Sequence, residues 1–311
     1  MRVGAITLTV SSGMLFEQIA SVIAPVFIVT GIGYLWIRRG LSFDNETISN
    51  LVMMVGTPCL VFSTLTSIDI DLRTFGQMVL ASVSIICSCL VLGWLLLKAT
   101  NLPVNTYLPA LIHPNTGNMG LPLVLLAFGE PGLALGISYF FVNSVSQYTL
   151  GMGISSGFFH PSQLLKQPII WAVLLVFIVR GTAFTVPVWI ASTTEILGGL
   201  VIPAMLLMLG TALARLHLVD LRQNMVIALA RLGFGLATGL FAIWAFDLNG
   251  TIAGVVFLQA AMPVAVFNFI FAERFNRNPE KVAAVILLST LISFATLPLL
   301  VGFALQIANQ G

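Results

Sequence analysis

Between Pro109 and Gly129 the chain reads P-A-L-I-H-P-N-T-G-N-M-G-L-P-L-V-L-L-A-F-G, with His113, Asn115, Thr116 and Asn118 as its polar side chains. This set pairs no nucleophile with a base and contains no carboxylate. Its chemistry is hydrogen bonding by neutral donors and acceptors. Pro114, Gly117, Gly120 and Pro122 lie among the same residues. Proline removes a backbone donor and clashes with the preceding turn, and glycine loosens the backbone. In hydrocarbon each freed N–H or C=O costs several kcal/mol unless protein, water or ligand satisfies it. A proline kink repaired by its neighbours is the bland alternative. Two prolines, two glycines and four polar side chains together favour a binding site at mid-membrane.

A second break has the same character. Gln259 to Ala272 reads Q-A-A-M-P-V-A-V-F-N-F-I-F-A, where Pro263 and Asn268 can interrupt a helix as Pro122 and Asn118 do in the first stretch. Two broken helices crossing would bring four half-helix ends together. Their N-terminal ends carry partial positive charge and free N–H groups, which suit an anion. Asn118 and Asn268 could satisfy loose backbone groups or touch that anion; sequence does not separate the two roles.

The elements that must hold these breaks are membrane spans. Of 311 residues 58% are hydrophobic and 8% charged, with mean hydropathy +1.05, against about 25% charged in a soluble domain. At about 20 residues per span the length allows about ten, and no soluble domain beside them. The expected spans are Phe16 to Ile37, Ile48 to Thr66, Phe75 to Leu97, the broken Pro109 to Gly129, Leu133 to Gly157, Pro168 to Val179, Ile196 to Leu213, Met225 to Phe246, Gly250 to Ala272 and Val282 to Ala308. The N-terminal residues before them read as a lead-in to the first span rather than a cleaved signal.

Landmarks recur along the chain. Pro25 and Pro168 open the first and sixth spans (168 − 25 = 143), and Pro58 and Pro203 break the second and seventh (203 − 58 = 145). Asp71-Leu72-Arg73 and Asp220-Leu221-Arg222 precede the third and eighth (220 − 71 = 149), and Pro131 and Pro279 precede the fifth and tenth (279 − 131 = 148). The reading is an all-α polytopic membrane protein of two five-helix repeats, residues 1–157 and 168–311, joined by a cytoplasmic loop at 158–167. An odd number of spans per unit inverts the second copy. Nine Lys and Arg fall in the loops after odd-numbered spans: Arg38, Arg39, Lys98, Lys166, Arg215, Arg222, Arg274, Arg277 and Lys281. Arg2, Arg73 and Arg180 make three on the other side. The bias predicts both termini outside the cytoplasm.

The motif P-N-T-G-N-M-G-L-P-L resembles that of the fourth helix of the auxin efflux carrier family, and Q-A-A-M-P followed by F-I-F-A-E-R-F resembles its ninth-helix motif. The resemblance implies a bile-acid/sodium symporter-like fold. In it helices 1, 2, 6 and 7 form a scaffold, helices 3–5 and 8–10 form a mobile transport domain, and broken helices 4 and 9 cross at the substrate. It also implies export of small organic anions, indole acids or dicarboxylates. On this reading the substrate-binding residues are Asn115, Thr116, Gly117, Asn118, Pro122, Pro263, Phe267 and Asn268. Three features depart from the plant members: a loop of about ten residues between the fifth and sixth helices, Asn268 in place of a second proline, and a third helix without charge. The short loop and compact length point to a bacterial member in the inner membrane.

The remaining polar residues are read singly. His113 could couple protons or be a neutral ring bonded to a freed carbonyl. Arg231, near the start of its span, could bind an anion or only snorkel toward the cytoplasmic surface, and snorkelling is the expected role. The serines of the third span allow close packing, and Cys59, Cys87 and Cys89 are apolar filler. The expected partners are a small organic anion and the lipid bilayer, with a homodimer left open as an assembly. A net charge of +2 gives no reason to expect nucleic acid. No cofactor, metal site or catalytic residue is expected; an intramembrane aspartyl protease would need paired Asp, which the spans lack. The alternative function is a sodium- or proton-coupled symporter or antiporter on the same fold.

Overall fold

The computed structural model describes residues 12–68, 71–158, 161–182, 184–215 and 219–309, so the lead-in at residues 1–11 lies outside the described residues. Helices account for nearly all of them, and the only β-pairing among the described residues is one isolated bridge. Among those residues fourteen α-helices follow in order: α1 Ser12–Arg38, α2 Asn45–Leu51, α3 Thr57–Ser67, α4 Leu72–Ala99, α5 Val104–Ile112, α6 Leu121–Ser146, α7 Met152–Ser156, α8 Pro168–Gly181, α9 Val188–Gly199, α10 Val201–Arg215, α11 Leu221–Ala245, α12 Gly250–Ala261, α13 Phe267–Arg274 and α14 Pro279–Asn309. Three π turns interrupt them, at Val52–Gly56, Thr116–Gly120 and Gln147–Gly151.

Among the described residues seven helical stretches are long and apolar enough to cross a bilayer, and α8 and α12 are shorter apolar helices. One stretch, Thr116–Ser156, runs 41 residues, about twice a span. Gly129 divides it, with φ 65° and ψ −161°, a backbone conformation that a side chain disfavours. The expected fourth and fifth spans therefore meet at Gly129. Pro25 lies inside α1 instead of opening it, whereas Pro168 does open α8. Proline at N1 costs no hydrogen bond; inside α1 it leaves one carbonyl without its intrahelical donor.

The helices fall into two packing sets. In the first, α1 lies along α10, and α3 lies between α8 and α9. The α1–α10 contact is close because both helices present glycine: a Cβ on Gly33 would run into the Leu207 carbonyl oxygen, and one on Gly210 into that of Thr30. Small residues let backbones approach in membranes. In the second set α4 packs on α5, α6 and α11, while α11 and α12 pack on α14. The sets touch where α1 meets α6 and α14, and where α10 meets the Thr116–Gly120 turn. Phe27–Phe294, with ring centroids 4.8 Å apart, and Phe75–Phe177, 5.4 Å apart, also bridge them.

Hydrogen bonds tie together loops that carry the positive charge. Arg215 Nη2 donates to Phe43 O at 2.9 Å, Arg277 Nε to Ser155 O at 2.7 Å, and Asn278 Nδ2 to Thr106 Oγ1 at 3.1 Å. Lys281 pairs with Asp220 at 2.8 Å. Elsewhere Arg180 donates to Leu65 O and Ile68 O at the end of α3. Large apolar side chains such as Ile28, Leu80, Trp171, Trp189 and Trp244 are exposed along the outer helices. An apolar exterior of this extent marks a multi-pass membrane protein covered by lipid.

Candidate substrate-binding crossing

Two prolines stop two helices in the same way. The residue before proline is pushed from the α region into extended backbone. His113, before Pro114, has φ −100° and ψ 106° and ends α5; Met262, before Pro263, has φ −64° and ψ 148° and ends α12. The two extended segments then pair antiparallel, Pro114 opposite Val264. Asn115 N–H donates to Pro263 O at 2.7 Å and Ala265 N–H to His113 O at 3.1 Å. The Val264 N–H finds Ser289 Oγ at 3.1 Å. Backbone groups freed by each break are thus satisfied largely by the other, which fixes the crossing.

Beside this bridge lies a cavity of about 20 Å³, walled by Pro114, Asn115, Thr116, Gly117 and Asn118 from one break and by Ala265 and Phe267 from the other. Phe140, Asn143, Ser144, Gln147 and Tyr148 close it from α6 and the turn that follows, and Met53 and Met205 from the other packing set. That volume holds about one water, so this conformation is closed down around the crossing. All three π turns contribute to the wall: Met53 from the first, Thr116 to Asn118 from the second, Gln147 and Tyr148 from the third. Such turns displace side chains from the helical register and recur at functional sites. A much wider cavity of about 980 Å³ opens between α3, α9, α10 and the Gly129 corner, reached by Thr64, Glu130, Glu195 and Ile202.

Of the residues expected at the site, the cavity wall gathers Asn115, Thr116, Gly117, Asn118 and Phe267. Pro122, Pro263, Asn268 and His113 stand outside it. Pro122 sits in the first turn of α6, and Pro263 acts through its carbonyl. Asn268 is 3% exposed and reaches only His113 O, at 3.5 Å. The His113 ring is fully buried between Pro109 O, 3.1 Å from Nδ1, and Ser146 Oγ, 3.0 Å from Nε2.

The wall holds polar atoms without protein partners. Among the described residues Asn115 Nδ2, Asn143 Oδ1 and Gln147 Nε2 are buried and bonded to nothing. Leaving such a group unmade costs about 1–3 kcal/mol. Asn143 spends its Nδ2 on Pro114 O at 3.3 Å and Thr116 Oγ1 at 3.0 Å, bracing the break. Tyr148 stacks edge-on against Phe267 and Phe271, with centroids 6.3 and 5.8 Å away. Asn143, Ser144 and Gln147 are visible in the sequence as a polar cluster in an apolar span; Met53, Phe140 and Met205 give no such signal.

Arg231 corrects an expectation. It does not snorkel: its side chain is fully buried. Nη1 donates to Leu111 O at 2.9 Å and Ile112 O at 3.4 Å, and Nη2 to Ala260 O at 2.7 Å. These carbonyls close the C-terminal ends of α5 and α12, where backbone acceptors lack intrahelical partners. The sequence places Arg231 near a helix start, but its depth is decided by where the two broken helices end.

Two comparisons bear on this arrangement. The model of the membrane transport protein family matches residues 18–157 and 152–301. The chain is also 26% identical, over 92% of its own length and 98% of the relative's, to an uncharacterized transporter of Methanothermobacter thermautotrophicus.

Proposed function

Because the chain belongs to the membrane transport protein family, the family of the auxin efflux carriers, we propose that it is a secondary transporter exporting small organic anions from the cell. The observation that carries the reading is the wall of the crossing, where buried amide donors at Asn115 and Gln147 lack protein partners beside an aromatic and methionine surface. A carboxylate needs donors, and its apolar body needs Phe140, Tyr148, Phe267, Met53 and Met205. Charge-assisted bonds of this kind contribute about 1.5–3 kcal/mol each. Asn118 stands in the same wall, and Pro122, Pro263 and Asn268 support the break from behind.

Ten spans arranged as two inverted repeats, with both termini outside the cytoplasm, complete the proposal. The loops joined by Arg215, Arg277, Asn278 and Lys281 belong to the side that the charge bias assigns to the cytoplasm. The α1–α3 and α8–α10 set is the scaffold, and the α4–α7 and α11–α14 set moves as an elevator carrying the crossing. A cavity too small for a carboxylate, walled by residues of both sets, fits a carrier that opens by relative movement of its two sets.

The test is a thermal-shift screen of the purified protein against monocarboxylates, dicarboxylates and indole acids, with and without sodium. Binding to the folded state raises apparent stability by mass action. The expected result is a concentration-dependent rise with at least one acid, matched by efflux of that acid from loaded proteoliposomes. No shift with any acid, or binding without transport, overturns the proposal. A shift that requires sodium would favour a sodium-coupled symporter.

A further inference from the structure

We propose that Arg231 sets the charge selectivity of the crossing, making it a site for one ionised carboxylate by cancelling the negative ends of α5 and α12 and leaving the two positive helix starts uncompensated. This rests on the organic-anion reading and narrows it to monoanions.

The four half-helix ends at the crossing are the C-termini of α5 and α12 and the starts at Thr116 and Phe267. Each end carries about half a unit charge, negative at a C-terminus and positive at an N-terminus. By themselves the four sum to about zero, and a buried carboxylate would gain no net field. Arg231 is the charge that breaks the tie. Its guanidinium bonds Leu111 O and Ile112 O on one helix and Ala260 O on the other, so one cation covers both negative ends. Among the described residues no carboxylate pairs with it; its remaining contact is Cys89 Sγ, 3.5 Å from Nη1. The fold makes room for the group: a Cβ on Gly235 would stand 2.9 Å from Nη2.

The positive ends lie on the cavity side. Neither the turn at Thr116 nor α13 at Phe267 has a side-chain cap bond at its start, and Thr116, Gly117, Asn118 and Phe267 all belong to the cavity wall. With the negative ends cancelled, the crossing holds about one net positive charge. Arg231 is fully buried, so salt screens that charge poorly. One carboxylate balances it, whereas a dianion leaves one charge over. Arg231 reaches the anion through the two helix ends it holds, so its role is positioning and electrostatic rather than direct contact.

The experiment compares acids with their neutral amides. Affinities of phenylacetate, phenylacetamide, indole-3-acetate and indole-3-acetamide are measured on detergent-purified wild-type protein and on Arg231→Gln, Arg231→Lys, Cys89→Asp and Cys89→Ser. Arg231→Gln should lower acid affinity tenfold or more and leave amide affinity within about twofold. Arg231→Lys should keep most of the acid preference. Cys89→Asp places a carboxylate beside an intact Arg231; it should lose the preference even if Arg231→Gln does not fold, while Cys89→Ser keeps it. An equal loss for acid and amide makes Arg231 a structural brace and overturns the inference. An acid preference that persists in Arg231→Gln or Cys89→Asp overturns it too and leaves the organic-anion reading standing. Wild-type protein that binds neither acid, or binds acids and amides alike, overturns this inference; the organic-anion reading falls with it only if no mono- or dicarboxylate raises the melting temperature.

Discussion

Asn115 and Asn143 face the same cavity but differ in what they do without a ligand. Asn115 Nδ2 is buried with no partner, so Asn115→Ala removes an unsatisfied donor from the ligand-free protein. Its melting temperature should hold or rise, while affinity for the bound acid falls about ten- to a hundredfold, the worth of one charge-assisted bond. Asn143 donates to Pro114 O and Thr116 Oγ1; Asn143→Ala strips both, at about 1–3 kcal/mol, and should lower melting temperature and affinity together. Thermal melts in detergent with paired titrations check both. A destabilised Asn115→Ala with unchanged affinity would make that side chain structural. The sequence exposes Asn115 because a proline- and glycine-rich run cannot be a plain helix. It exposes Asn143 and Gln147 only as polar residues in an apolar span, since their meeting with the break depends on how α6 lies against it. Met53 and Met205 are invisible there, being apolar residues among apolar residues.

At the scale of the element, the prolines do the positioning. Pro263→Ala relieves the steric push that holds Met262 extended and lets α12 run on toward α13. Asn115 N–H would then lose Pro263 O, and His113 O would lose the Ala265 N–H. The expected outcome is faster amide exchange across residues 113–118 and loss of acid binding with helicity unchanged or higher. Unchanged exchange there would mean that Pro263 does not maintain the bridge. Away from the bilayer, Asp44 caps α2 by accepting from Thr47 Oγ1 at 2.5 Å and from the Thr47 and Glu46 N–H groups at 3.1 Å. The Thr47 hydroxyl first, and then the backbone donors, hold its carboxyl below the ordinary 3.8. A lowered folded value means the cap stabilises fully above pH 3.8 and fades as pH falls through that lower value. Amide protection in residues 46–49 should drop in that acid range, and Asp44→Ala should abolish the pH dependence. Proline and charge make most helix ends legible. The π turns are not, because inserting one residue into a helix leaves composition unchanged. The seventh span starts earlier than expected since Thr193 and Thr194 bond back to Trp189 O and Ile190 O at 2.7 and 2.9 Å, hiding their polarity inside α9.

The whole molecule raises the question of what moves. The sequence suggests two sets of helices only through a resemblance, because which helices touch is a matter of lateral packing that hydropathy does not encode. The structure supplies contacts that distinguish a movement between sets from one within them. Phe27 on α1 meets Phe294 on α14, and Phe75 on α4 meets Phe177 on α8; both pairs cross from one set to the other. Cys89 on α4 and Thr238 on α11 lie 3.5 Å apart inside one set. If α4–α7 and α11–α14 travel as one body, the two aromatic contacts must break in concert while the Cys89–Thr238 contact persists. Double cysteine variants at 27/294 and 75/177, in a background with Cys59, Cys87 and Cys89 replaced by alanine, should crosslink in the conformation described here. Each crosslink should stop transport in proteoliposomes, reversibly on reduction. Thr238→Cys with native Cys89, and with Cys59 and Cys87 replaced, should crosslink under every ligand condition and leave transport running. Full transport with either inter-set pair locked would exclude the elevator. Arrest by the crosslink between positions 89 and 238 would instead place the essential movement inside the set that carries the crossing, between α4 and α11.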